Sequence, residues 1–159
     1  MLVDLARPKR RDVRFARLYN GNMQDLQRIE SNGQTYAMFI KAGFDPPGVD
    51  FVTKDEDEFQ LGVMRREKGY RVQAHTHPLH PRMTQGISEF LFFRKGKAKV
   101  MVYDEEWNKL AEVIMETGDC LLFLRGGHEL EMLEETSMVE VKQGPFQGVA
   151  STKIFRPQP

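Results

Sequence analysis

Phe90-Leu91-Phe92-Phe93, then Gly96, then Lys97-Ala98-Lys99-Val100-Met101-Val102 is the stretch that decides the fold. The first run is apolar and short, as a buried strand is. In the second, Ala98, Val100 and Val102 alternate with Lys97, Lys99 and Met101. A period of two places such residues on opposite faces of a sheet. Gly96 lies between the runs, where a tight turn needs a positive φ.

The same grammar extends in both directions. Toward the C-terminus follow Leu110 to Met115, Cys120 to Leu124, His128 to Leu133 and Met138 to Val141, punctuated by Gly118-Asp119 and Gly126-Gly127. Asp104 to Asn108, with Trp107, reads as a hairpin turn, the tryptophan packing on an edge or a neighbour. Toward the N-terminus, Phe59, Leu61 and Val63 alternate, Tyr70 to Ala74 is a short strand-like run, and Thr35 to Ile40 is rich in strand formers. Many short strands at close intervals predict a sandwich or barrel. The charge run Asp55 to Glu58 reads as a solvated turn, and 43–48, with Pro46-Pro47, as a loop.

One helix is expected near the start. Met23, Leu26 and Ile29 follow helical spacing, Asn22 offers a cap, and Asn32-Gly33 a stop. Before it, Arg7, Lys9, Arg10, Arg11, Arg14 and Arg17 form a basic arm, read as a solvated arm or edge strand. The expected organisation is an arm and short helix over 1–34, an all-β unit over 35–146 and a tail over 147–159, with Ile154 and Phe155 available as anchors.

Composition narrows the function. The chain has 159 residues, 40% hydrophobic and 29% charged, as one soluble domain would. Lys+Arg and Asp+Glu are both 23. That balance gives no general reason to bind nucleic acid or an anionic membrane. Cys120 is the only cysteine, so no internal disulfide forms. It reads as a core residue. No apolar stretch follows the early charges as a signal peptide requires, and none approaches the roughly 18 residues of a membrane helix. A cytoplasmic protein is the expectation.

The chemistry concentrates in the histidines. The chain has four, and His75, His77 and His128 form a set with Glu89. On a strand, i and i+2 imidazoles point to one side. A carboxylate and a third imidazole from other strands would complete a metal site. A His-x-His pair alone is more often a loop or core pair; the ordered set gives it weight.

The spacing resembles the two signature motifs of the cupin superfamily. The chain reads Gly69-x5-His75-x-His77-x11-Glu89-x6-Gly96, and later Gly118-x7-Gly126-x-His128. The family patterns are Gly-x5-His-x-His-x3–4-Glu-x6-Gly and Gly-x5-Pro-x-Gly-x2-His-x3-Asn. The resemblance covers about residues 59 to 143. It implies a double-stranded β-helix, the jelly-roll barrel of that family, with the site inside one mouth. It also implies His75, His77, Glu89 and His128 as ligands of a divalent ion: Fe, Mn, Ni, Cu or Zn. The chain departs from the pattern in three places. Eleven residues separate His77 from Glu89, Leu124 replaces the family's proline, and the Gly126–His128 gap is one residue short. Gln85 is an alternative ligand to Glu89.

Around this set, His80 and Arg82 are the candidate acid, base or substrate clamp in the long loop. Arg125 is a further anion contact or simply an exposed arginine. His128, Leu130 and Met132 are expected to face inward, and Glu129 and Glu131 outward. Glu140 and Lys142 are read as a solvated, outward pair; turned inward, they would be charges beside the metal. The run Glu140 to Phe146 and His77-Pro78 look like small bacterial cupins of surface-polysaccharide and sugar-nucleotide gene sets. The resulting expectation is a metal-dependent isomerase or oxygenase acting on a small polar, carbohydrate-related molecule. The alternative is a non-catalytic sugar-binding module. Either is expected as a homodimer paired through sheet edges.

Overall fold

The computed structural model describes residues 25–157 apart from Arg82 and Gln85. The basic arm, Asn22 and Met23 lie outside the described residues. Ten strands follow in chain order: β1 (Leu26–Ser31), β2 (Gln34–Ile40), β3 (Gly48–Phe51), β4 (Gly62–Arg65), β5 (Glu89–Lys95), β6 (Lys97–Tyr103), β7 (Lys109–Glu116), β8 (Cys120–Phe123), β9 (Gly127–Met132) and β10 (Ser137–Lys142). A single helical turn, α1 (Val149–Thr152), comes last. The fold is all-β.

The strands form a five-stranded sheet in the order β1-β2-β8-β5-β10, a three-stranded sheet β7-β6-β9, and the hairpin β3-β4. Every pairing is antiparallel. The two larger sheets face each other. Ile29, Phe39, Leu91, Phe93 and Leu121 from the first meet Val100, Val102, Val113 and Met115 from the second in one buried cluster. Alternation decides which residues enter it, so Ala98, Val100 and Val102 are buried while Lys97 and Lys99 reach outward to Glu116 and Glu131.

The outer face of the five-stranded sheet is only half covered. Leu26, Met38 and Ile40 pack with Val52, and with Leu61 and Val63 of the β3-β4 region, in a second cluster. Cys120, expected in the core, is only half-buried and packs against the edge of this cluster. On the β5-β10 side, Phe92, Val139 and Val141 remain exposed.

The expected N-terminal helix is replaced by strand. Leu26 to Ser31 pair residue by residue with β2, through a bulge after Ile29. Asn32 and Gly33 both take positive φ in the two-residue turn that follows. That is the geometry of a tight hairpin, and it closes β1 onto β2 instead of capping a helix. Leu26 and Ile29 are both buried, but in different clusters on opposite faces of the sheet. An i, i+3 pair satisfies a helix stripe and also a sheet apolar on both faces, and here the sheet wins.

Two other expectations change. The Tyr70–Ala74 run and the His75-Thr76-His77 that follows are not strand. Among the described residues, 66–88 contain no strand and are exposed as far as Ile87. Ile154 and Phe155 do not anchor the tail, both being exposed. The tail instead touches the body through Arg156, whose guanidinium lies 5.3 Å from the Tyr103 ring centroid. The Asp104–Asn108 turn is as expected: Asp104 Oδ1 accepts the Glu106 and Asn108 amides, and Trp107 stands 6.1 Å from Tyr103. Among the described residues no helix is long and apolar enough to cross a membrane.

Candidate metal centre

Glu89 opens β5 and shares its inward face with Leu91 and Phe93. His128 lies on β9, directly opposite the buried Val102 of β6. The two residues therefore come from different sheets. They meet at one end of the shared core, where His128 Nε2 lies 3.1 Å from Glu89 Oε2.

Three features hold the pair. Phe123, opposite Glu89 in the β5-β8 ladder, stacks on the His128 ring at 4.0 Å and 13°. Gly126, at φ +72°, brings the chain from β8 into β9; a Cβ there would run into the Tyr103 carbonyl and the Tyr36 ring. Gly127 lies against the Trp107 ring, where a Cβ has no room. The close backbone approach thus requires the glycine pair.

Lys142 completes the cluster. It stands opposite Glu89 in the β5-β10 ladder, and its Nζ donates to Glu89 Oε1 at 3.0 Å and to Glu140 Oε1 at 2.6 Å. The side chains of Glu89, Lys142 and His128 are 13%, 20% and 28% exposed. The outward reading of the Glu140–Lys142 pair is therefore corrected: Lys142 is a member of the site. Val139 and Val141 take the exposed face instead. The charged-apolar alternation of β10 is inverted relative to the usual rule, and register decides it, because the residue opposite Lys142 is Glu89.

The electrostatics follow from these contacts. The hydrogen bond with His128 is the main influence that lowers Glu89, to about 2; burial opposes it and Lys142 assists. Lys142 is pushed up, first by Glu140 and then by Glu89. Glu89 is thus a carboxylate at every physiological pH.

The β9 alternation is as read from sequence for four of its five residues. Leu130 packs against the main core, and Glu129 and Glu131 are exposed. Met132, expected inward, is also exposed, at the end of the strand.

The remaining site residues lie elsewhere. His75 and His77 are exposed, their rings 5.1 Å apart and nearly perpendicular, and Gln73 O lies 2.8 Å from His75 Nδ1. His80 is exposed in the same segment, while Arg82 and Gln85 lie outside the described residues. Ser88 ends the segment, buried, with its amide donating to Gln143 Oε1 at 2.8 Å. Beside Ser88 opens a cleft of about 330 Å³ lined by Glu56, Asp57, Glu58, Leu124 and Arg125. Arg125 is exposed, and its Nε donates to Thr35 O at 3.1 Å.

Structure thus joins Glu89 to His128 and His75 to His77, but not the two pairs to each other. Among the described residues no three His, Cys, Asp or Glu side chains converge as a metal-binding group. The Glu89–His128 contact is a hydrogen-bonded pair of two side chains, each of a type that can ligate a metal.

No family model, curated protein or solved structure matches this chain.

Proposed function

We propose that this chain is a divalent-metal-binding cupin, its antiparallel strands following the double-stranded β-helix path. The observation that carries the reading is the Glu89–His128 contact across the two sheets, with the carboxylate held ionised. Glu89 and His128 would be the fixed half of the site. His75 and His77 would supply the other half of the site from the segment whose described residues are exposed as far as Ile87. The ion is Fe, Mn, Ni, Cu or Zn, all of which accept imidazole with a carboxylate. It would polarise a carbonyl or enediolate oxygen, or activate O2 if iron.

The substrate class is a small polar molecule, carbohydrate-related by the resemblance of 140–146. The 330 Å³ cleft beside Ser88 is of small-ligand size, and its carboxylates and Arg125 offer hydroxyl and anion contacts. His80 and Arg82 would supply proton transfer or a clamp from the same segment that carries His75 and His77. The activity is of isomerase or oxygenase type, in a homodimer.

Elemental analysis of the purified protein tests the metal. Stoichiometric metal in the wild type, lost in both His75→Ala and His128→Ala, is the expected result. Full retention in both variants would overturn the ligand set. A second reading, a non-catalytic sugar-binding module, draws support from Lys142, which already neutralises part of Glu89. It is favoured if the metal-loaded protein binds sugars yet converts none in a broad substrate screen.

A further inference from the structure

The strands at the sheet margins are not alike. β1 carries a bulge in mid-strand, and β7 pairs through one at its Lys109 end. Such breaks spoil an edge for further pairing. β10 keeps unbroken register with β5 from Met138 to Lys142 and, among the described residues, pairs with β5 alone. Its two faces differ. Val139 and Val141 are exposed on the outer face, with the exposed Phe92 opposite Val139. Glu140 and Lys142 share the inner face, 2.6 Å apart, and Lys142 also reaches Glu89 at 3.0 Å. Inward charges usually guard an edge strand against pairing. Here the two are of opposite sign and two residues apart, which makes the guard selective.

We propose that β10 is the contact strand of the homodimer: two copies pair β10 against β10, antiparallel, about a two-fold axis at Val141. The inference rests on the homodimer reading above and assigns its interface. An antiparallel ladder sets residues of one face directly opposite each other, and opposite charges there stabilise while like charges destabilise. With the axis at Val141, Glu140 of each copy stands opposite Lys142 of the other. An axis at Glu140 opposes two carboxylates, and one at Lys142 opposes two ammoniums. An axis at Val139 sets Glu140 against Met138. Only the Val141 axis gives both charges of each copy an opposite partner. It also brings the exposed valines of the two outer faces side by side and makes the two five-stranded sheets continuous.

This register has a covalent signature. Directly opposed residues of an antiparallel pair have Cα atoms about 4.5–5.5 Å apart, within the span of a disulfide. Val141 meets its own counterpart at that distance. Val139 stands opposite Gln143, so the two Val139 residues lie four strand positions apart, about 13 Å along the sheet and out of disulfide reach.

The test uses the full chain. Analytical ultracentrifugation gives the oligomer. Oxidised glutathione reads the register in Val141→Cys and Val139→Cys, each made in a Cys120→Ser background. The expected result is a dimer in which Val141→Cys cross-links and Val139→Cys does not. Glu140→Lys turns both cross-strand pairs repulsive and is expected to weaken the dimer by about tenfold or more. Lys142→Glu does the same from the other side, and the two variants mixed are expected to pair with each other, since each then meets its opposite charge. Circular dichroism checks each fold, and where a charge variant unfolds the cysteine pair decides. A dimer that cross-links through neither cysteine overturns the β10 interface and leaves the homodimer reading standing. Cross-linking through Val139→Cys as fast as through Val141→Cys, or a folded Glu140→Lys as dimeric as wild type, overturns the charge-selected register. A monomer at every concentration overturns both readings.

Discussion

Phe123 lies face to face with His128, ring centroids 4.0 Å apart and planes 13° from parallel. Phe123 is also buried and stands opposite Glu89 on the neighbouring strand. One phenyl ring thus fills the end of the core and is the wall against which the imidazole rests. Phe123→Ala should cost about 3–5 kcal/mol, as truncations of buried phenylalanine do. Phe123→Leu should cost less, yet still free the His128 ring. Urea denaturation gives the stability, and the His128 imidazole resonances in NMR should broaden or shift in the leucine variant. Unchanged resonances would show that the ring is held by Glu89 alone.

Acid stability should depend on Glu89. Its folded-state pKa is about 2 against an ordinary 4.5, so the contribution is complete above pH 4.5 and is lost as pH falls toward 2. Stability measured in urea from pH 6 to pH 2 should fall across this window in the metal-free wild type. In Glu89→Gln the same fall should be shallower. Parallel curves for the two proteins would place the acid sensitivity in other carboxylates.

Gly126→Ala should be disproportionately harmful for one methyl group. The residue sits at φ +72°, and the new Cβ would meet the Tyr103 carbonyl and the Tyr36 ring. A loss of about 1–3 kcal/mol is expected from backbone strain alone. Because β9 begins at the next residue, metal affinity should fall with it. Gly144→Ala, where a Cβ meets nothing within 4 Å, is the matched control and should be nearly neutral.

Metal should protect the 66–88 segment. Arg66, Lys68 and Arg71 are exposed and outside any strand, so trypsin should cut within this segment. If His75 and His77 close onto Glu89 and His128, saturating metal slows that cleavage. It should also raise the melting temperature, since ligand at 100 times its Kd adds about 2.7 kcal/mol. Cleavage unaffected by metal in a protein that binds it would confine the site to the two core residues.

Cys120 should be a slow thiol. Burial, with help from Asp119, pushes its pKa up to about 11, so almost none is thiolate at neutral pH. Labelling with a disulfide reagent at pH 7.5 should be slow in the native protein and fast in urea. Fast native labelling would mean that the outer face of the sheet opens readily near Cys120.

The sequence by itself determined the strand-rich core. Period-two alternation around Gly96, and turn residues at Gly118 and Gly126, reflect constraints that act within a few residues, and β5 to β9 appear where that pattern places them. It also marked Glu89 and His128, which meet. Tertiary structure decided the rest. Leu26 and Ile29 satisfy a helix pattern but face two different cores once β1 pairs with β2, because a neighbouring strand outweighs weak helical periodicity. On β10 the local pattern puts valines in and charges out. The ladder reverses it, because sheet register sets Lys142 opposite Glu89 and makes an ion pair beside the imidazole. A strand's own residues define its two faces, but only its partner strand determines which of them faces the site.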